Sequence, residues 1–335
     1  MNNLSKLILK GLIFTILLSP LTFVYLDLEN EQNVIKMTMD YAFHQAKTSS
    51  SIQDDIVFLG DSRLISGIDM DYLQGKRSFE FTNLSIGGSS FLESYYLLKY
   101  YLETHPKPKT VFLSYVPSIH FFKPSILGHF GLPSVFQLHP LDLIESGQLS
   151  NYFVNNLNRN KDYLWRLMKT AVHQDTLRIN RPFPFFGGTT ALEIKEIYTS
   201  HHGFVIWARS QTQVDQHREP FYWDREAKEQ NKKIDPVEKK YFTRIISLCN
   251  QHHIQTACIL MPIHESSEDI YKSYVYPIWM EYIDSLPIQI LDCQPKYWKY
   301  TDFVDPSHLN QTGRRRYNEY LIDSGLLDRM IFFKD

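Results

Sequence analysis

Residues 56–62 read Ile56-Val57-Phe58-Leu59-Gly60-Asp61-Ser62: four apolar residues, a glycine, an acid and a serine. A short unbroken apolar run suits a strand buried on both faces, which is the condition of a parallel sheet. Similar runs recur at 79–84 (FEFTNL), 111–115 (VFLSY), 256–261 (TACILM) and 288–291 (IQIL). Helical patterns lie at 91–103, 236–253, 269–285 and 311–322. Strands alternating with helices predict an α/β domain built on a parallel sheet, here over residues 55–335.

The alternation breaks at about residues 120–234. This stretch carries the clusters RPFPFFGG, HHGFVIW and EPFYW, with patchy helical periodicity at 157–177. Long irregular connections in compact domains are usually functional lids or disordered, and such aromatics argue against disorder. The expectation is a cap inserted into the α/β core, the alternative a separate subdomain on the back of the sheet.

Upstream, residues 11–26 (GLIFTILLSPLTFVYL) carry no charge, and Leu7 to Leu9 extend the run past Lys10. A bilayer takes about 20 mostly apolar residues as a helix. Lys6 and Lys10 precede the segment, and Asp27, Glu29 and Glu31 follow it. That asymmetry predicts a cytoplasmic N-terminus, a membrane anchor over residues 1–30 and an extracytoplasmic domain. A cleaved signal peptide is the competing reading, although DLENEQN offers no small-residue cleavage site. Polar residues 31–54, ending in KTSSSIQDD, read as a stalk.

Net charge is −2 with dispersed basic residues, which leaves no footprint for nucleic acid. The 21 Tyr and 22 Phe suit a carbohydrate or acyl pocket as well as a packed core. Cys249, Cys258 and Cys293 form no metal-ligand spacing; buried thiols, or one disulfide and a free thiol after export, both fit.

Three short blocks carry chemistry. Gly60-Asp61-Ser62 ends the first strand, where ligands bind in open parallel sheets. A serine there becomes a nucleophile if a base and an orienting group stand beside it. The same tripeptide also reads as a turn with Asp61 or Ser62 capping a helix. Asp305-Pro306-Ser307-His308 lets a carboxylate hold one imidazole nitrogen while the other faces a serine. It also reads as a Pro turn with an exposed His308. Asn83-Leu84-Ser85-Ile86-Gly87-Gly88 brings bare backbone N–H groups near the first strand's end, where an oxyanion would develop. A Gly-rich turn with Ser89 or Ser90 capping the next helix is the alternative.

Taken in their order along the chain, Gly60 to Ser62, Asn83 to Gly88 and Asp305 to His308, the blocks resemble those of the SGNH (GDSL-like) hydrolase and acyltransferase superfamily, over roughly residues 54–118 and 245–325. The resemblance implies a three-layer α/β/α, flavodoxin-like fold. It also implies Ser62 as nucleophile, Asp305 and His308 as its partners, and the Ser62 and Gly88 amides as the oxyanion hole. One departure stands out: the family's third block supplies an Asn donor, whereas here the third strand runs into Tyr115-Val116-Pro117-Ser118. Tyr115, Ser118 or a group of the insertion is the expected substitute. With the anchor, the pattern is similar to membrane-anchored members that modify bacterial envelopes, as in teichoic acid D-alanylation and alginate O-acetylation. Such members work beside a polytopic membrane acyltransferase (MBOAT).

The resemblance therefore implies transfer or hydrolysis of acyl groups, O-acetyl above all, on an envelope or exported polysaccharide. It calls for an acyl donor and for no metal or organic cofactor. A degenerate glycan-binding or scaffold protein of the same fold is the alternative. His264 follows the fourth strand, at an edge where sites lie, and reads as a surface residue. The pairs His201-His202 and His252-His253 have no partner acid at helical metal spacing, so no metal is expected. Arg314, Arg315 and Arg316 read as a solvated helix face.

Overall fold

The computed structural model describes residues 34–122, 191–204 and 219–332. Five strands form the central sheet: β1 (Ile56–Gly60), β2 (Phe81–Asn83), β3 (Thr110–Ser114), β4 (Gln255–Ile259) and β6 (Gln289–Asp292). Their order is β2-β1-β3-β4-β6, and every neighbouring pair is parallel. The chain thus winds outward from β1 in both directions, and the switch point lies between β1 and β3. In open α/β sheets that crevice, at the carboxyl ends of the strands, is where ligands bind. Two-residue strands β5 (Ile263–His264) and β7 (Tyr297–Trp298) pair separately.

Strand residues alternate between two apolar layers, as period 2 requires. Val57, Leu59, Val111, Leu113 and Cys258 join one core with Phe91, Leu97, Phe242, Ile245 and Trp279. Ile56, Phe58, Phe112, Ala257 and Ile259 join the other with Leu64, Leu73, Tyr317 and Leu321. Helices therefore cover both faces, giving the expected α/β/α layering.

The helices, in chain order, are α1 (Val34–Lys47), α2 (Ser62–Gly67), α3 (Met70–Gln74), α4 (Phe91–Thr104), α5 (Ala191–Ser200), α6 (Tyr222–Glu229), α7 (Pro236–Gln251), α8 (Tyr276–Ile283), α9 (Gln311–Asp323) and α10 (Leu326–Ile331). A short helix, Glu268–Ile270, and a π-helical turn, Tyr271–Val275, lead into α8.

The stalk expectation fails for α1 and for Asp54, while residues 48–53 are largely exposed as expected. Met39, Ala42, Phe43 and Ala46 of α1 are buried against α4. Thr104 Oγ1 donates to Ala46 O at 2.7 Å, and the Phe43 and Tyr100 rings meet edge-on at 6.0 Å. Asp54 is also buried and accepts the Tyr101 hydroxyl at 2.7 Å. Polar composition pointed to solvent, but the apolar residues sit at i, i+3, i+4 and i+7, one face of a helix. The expected anchor over residues 1–30 lies outside the described residues. Among the described residues no helix is long and apolar enough to cross a membrane.

Most of the insertion, including Trp207, also lies outside the described residues. Its described limbs are fastened to the core. Tyr198 of α5 is fully buried, its ring 4.9 Å from that of Tyr41. Phe204 packs edge-on against Phe58 at 5.7 Å, and Asn83 Nδ2 donates to Gly203 O. Phe43→Ala is expected to lower stability by about 3–5 kcal/mol in a denaturant titration, the cost of truncating a buried aromatic. A change near zero would return α1 to the status of a stalk.

Candidate active site

Strand β1 must end tightly against β3. A Cβ on Gly60 would stand 2.3 Å from Ser114 O, so glycine is the residue that fits. The next residue, Asp61, is extended and caps α2, its Oδ1 accepting from Arg63 N at 2.9 Å. Its Oδ2 accepts from Val116 N, just beyond β3. Asp61 is fully buried, so one carboxylate pins the turn from both sides and sets Ser62 as the first residue of α2. The capping alternative and the nucleophile reading turn out to be compatible: Asp61 caps, and Ser62 faces the crevice, half-buried.

His308 arrives on a loop closed at its base. Phe303 and Leu309 form an antiparallel bridge, and Val304 N donates to His308 O at 2.9 Å. Asn310, buried, caps α9 by accepting from Gly313 N at 3.0 Å. Its Nδ2 donates to Thr301 O at 2.7 Å, which ties both strands of the loop together. Within the loop Asp305 Oδ1 accepts from Ser307 N at 2.7 Å and from His308 N at 2.9 Å.

Ser62 Oγ lies 2.8 Å from His308 Nε2, and Asp305 Oδ2 lies 2.8 Å from His308 Nδ1. With Nδ1–H donating to the carboxylate, Nε2 is the acceptor for the Ser62 hydroxyl, an assignment made from the partners. Burial alone would raise the Asp305 pKa, but the His308 ring and the hydrogen bonds from His308 and Ser307 outweigh it and hold the carboxyl well below its usual range. Asp305 therefore stays an acceptor through mildly acid pH. The structure brings Ser62, His308 and Asp305 together with the imidazole between hydroxyl and carboxylate, one nitrogen facing each.

The second block continues alongside β1. Leu84 N donates to Phe58 O at 2.9 Å and Ile86 N to Gly60 O at 3.0 Å. Two residues later Gly88 sits at φ 66°, left-handed backbone that glycine takes without strain. Open space surrounds its Cα, and Gly87 N is held by Thr38 Oγ1 of α1 at 3.0 Å. The Gly88 turn is thus steadied beside the end of β1, two residues from Ser62. Ser90 then begins α4 with a capping box to Glu93.

Tyr115 and Ser118 do not take the place expected of them. Tyr115 is 3% exposed and lies in the core, its ring 4.7 Å from that of Phe91. Ser118 is fully buried and donates to Asp224 Oδ1. The backbone donor at the exit of β3, Val116 N–H, is already taken by Asp61.

Other singled-out residues are accounted for by packing. His264 is buried rather than on the surface, its Nδ1 2.7 Å from Ser266 Oγ and its ring against Phe303. Arg314 is buried as well, 3.7 Å from Asp69, because the start of α9 packs on the core. Arg315 pairs with Glu319, and Arg316 covers Trp298 while holding Asp302 at 2.8 Å. His201 holds Asp71 at 2.7 Å, whereas His202, His252 and His253 are exposed. All three cysteines are buried free thiols.

Sequence reasoning missed two groups. One is Arg63 with Asp224, which no spacing rule connects. The other is a buried cluster behind the Gly88 turn, where His120 Nδ1 lies 2.7 Å from Glu238 Oε2 and Phe91 N donates to the same oxygen at 3.0 Å. Burial and the neighbouring Glu238 push Glu93 up to about 7. Burial and Asp235 push Glu238 up to about 8, while burial pushes His120 down to about 3. The Ser90-x-x-Glu93 pattern was the available signal, since it places one of these acids in a capping box.

No protein-family model matches the chain, and no curated protein matches it.

Carboxyls with raised folded-state pKa values stabilise the fold fully below the ordinary carboxylate range, and that stability is lost as pH rises through the raised values. The denaturation midpoint is therefore expected to fall as pH climbs from the ordinary carboxylate value of 4.5 towards about 7 and about 8, the raised values of Glu93 and Glu238, and to level off above them. Glu238→Gln should remove most of that slope in a pH series of urea titrations, and an unchanged slope would assign it elsewhere.

Proposed function

We propose that this chain is a serine acyltransferase or carboxylic ester hydrolase of the SGNH type, acting on O-acyl groups of a cell-envelope or exported polysaccharide. The observation that carries the reading is the continuous Ser62–His308–Asp305 chain of contacts, 2.8 Å at each imidazole nitrogen. His308 Nε2 takes the proton as Ser62 Oγ attacks the acyl carbonyl carbon. The carbonyl oxygen becomes an oxyanion, met by the backbone N–H groups of Ser62 and Gly88. Collapse of the tetrahedral intermediate expels the donor alcohol, which leaves with the proton from His308. A sugar hydroxyl, or water, then repeats the sequence on the acyl-serine and regenerates Ser62. Asp305 keeps the ring oriented throughout and needs no proton of its own.

In the fuller proposal the domain stands outside the membrane on the N-terminal anchor and receives acyl groups with the help of an MBOAT-type partner. Deleting the gene separates the two reactions. Polymer acylation that falls indicates a transferase, and acylation that rises indicates an esterase.

A scaffold reading has one specific observation in its favour: the Val116 N–H is occupied and the Tyr115 and Ser118 side chains are buried, so none of these three groups meets an oxyanion. A fluorophosphonate probe separates the two. The full-length wild type is expected to label, Ser62→Ala not at all, and His308→Ala roughly 1000-fold more slowly or worse. A wild type that stays unlabelled would make the protein a binder rather than an enzyme.

A further inference from the structure

Arg63 follows the nucleophile in the chain and is 3% exposed. Its guanidinium lies 5.1 Å from the centre of the Phe221 ring, on the limb by which the insertion returns to the core. That limb is anchored twice more: Phe221 N donates to Ser267 Oγ at 3.1 Å, and Asp224, fully buried, accepts the Ser118 hydroxyl. Asp61, Asp224 and Tyr271 are the groups whose charge or dipole acts on Arg63. Burial by itself would weaken its charge, and their field outweighs that, so the guanidinium stays ionised.

Tyr271 acts on Arg63 both through its dipole and as a side-chain hydrogen-bond partner, and Asp224 is held in turn by Ser118 and Ser267. A buried charge is costly unless it is compensated, and a solvent-facing arginine at this turn would avoid that penalty. The two residues flanking Ser62 therefore reach in different directions. Asp61 fixes the backbone of the turn to β3, while Arg63 extends from α2 to the Phe221 ring.

We propose that Arg63 is a positioning residue for the nucleophile. Its buried guanidinium, covered by Phe221, locks the Ser62 turn to the returning limb of the insertion. That lock fixes the direction in which Ser62 Oγ faces His308. The inference rests on the acyl-transfer reading above. It gives the insertion a part in catalysis that needs no contact with substrate, and it makes Asp224 the insertion's half of the lock.

A simpler role for Arg63 is to balance two buried carboxylates, and the test must separate the two roles. The rate of inactivation by a fluorophosphonate probe (kinact), the probe's affinity and the melting temperature are measured for the full chain. The variants are wild type, Arg63→Met, Arg63→Lys and the double variant Arg63→Met/Asp224→Asn. Arg63→Met is expected to lower kinact roughly 100-fold with little change in probe affinity, the size of effect that a small misplacement of a reacting group produces. Arg63→Lys, which keeps the charge, should recover most of that loss. In the double variant the melting temperature should return to the wild-type value while kinact stays low. Should Arg63→Met fail to fold, the lysine and double variants decide the matter by the same criteria.

Recovery of kinact together with stability in the double variant would reduce Arg63 to charge balance and overturn the proposal. So would a folded Arg63→Met that labels at the wild-type rate, or a folded Arg63→Lys as slow as Arg63→Met. Those results leave the serine reading intact. A wild type that does not label removes that reading and this inference with it.

Discussion

A carboxylate with no exposure to water stands one residue before Ser62, and the site is built around it. Burial pushes the pKa of Asp61 up, and the Arg63 charge together with the Val116 and Arg63 N–H groups works against that push. Such a group is tolerated at depth when its oxygens are hydrogen-bonded, and here each has a backbone partner. Through those two bonds Asp61 joins the exits of β1 and β3, the two strands that flank the switch point. The crevice that parallel topology opens there becomes a defined site because this turn is rigid. His308 then completes it from a position 246 residues away along the chain, which is why its own loop carries a bridge and a buried Asn310 clamp.

The meeting of Ser62, His308 and Asp305 was legible because each block is local. A strand ending in Gly60, a glycine pair after the second strand and an Asp-x-x-His loop each declare themselves within a few residues. Their convergence followed from the parallel sheet, which the apolar runs announced. Tyr115 shows where local reading stops. It follows β3 and was expected at the site, yet the strand's period of two carries it to the same face as Leu113, under α4 and α7. Helix α1 failed for the opposite reason. Its Met39, Ala42, Phe43 and Ala46 stripe was present, but polar neighbours and its place after an apolar segment suggested a linker. His264 and Arg314 were taken for surface residues because their partners, Phe303 and Asp69, are brought close by the fold alone.

Two supports of the site come from regions that seemed peripheral. Thr38, on the helix expected to be a stalk, holds Gly87 N–H and so steadies the turn that carries Gly88. Phe221, on the returning limb of the insertion, covers the Arg63 guanidinium beside Ser62. The described limbs are therefore continuous with the core rather than a lid free to swing. Phe204 lies in one apolar layer, and Phe122 meets Trp223 at 5.0 Å near the point where the chain leaves β3.

The central claim is that Ser62 accepts an acyl group because His308 and Asp305 activate it. Rapid-quench mass spectrometry of the full chain mixed with a small activated acetyl ester tests this most directly. The account predicts a transient mass increase of one acetyl group, mapped by peptide analysis to Ser62, that decays as the ester is consumed and is missing in His308→Ala. An acetyl group that never appears on Ser62, or that appears at the same rate without His308, would contradict it.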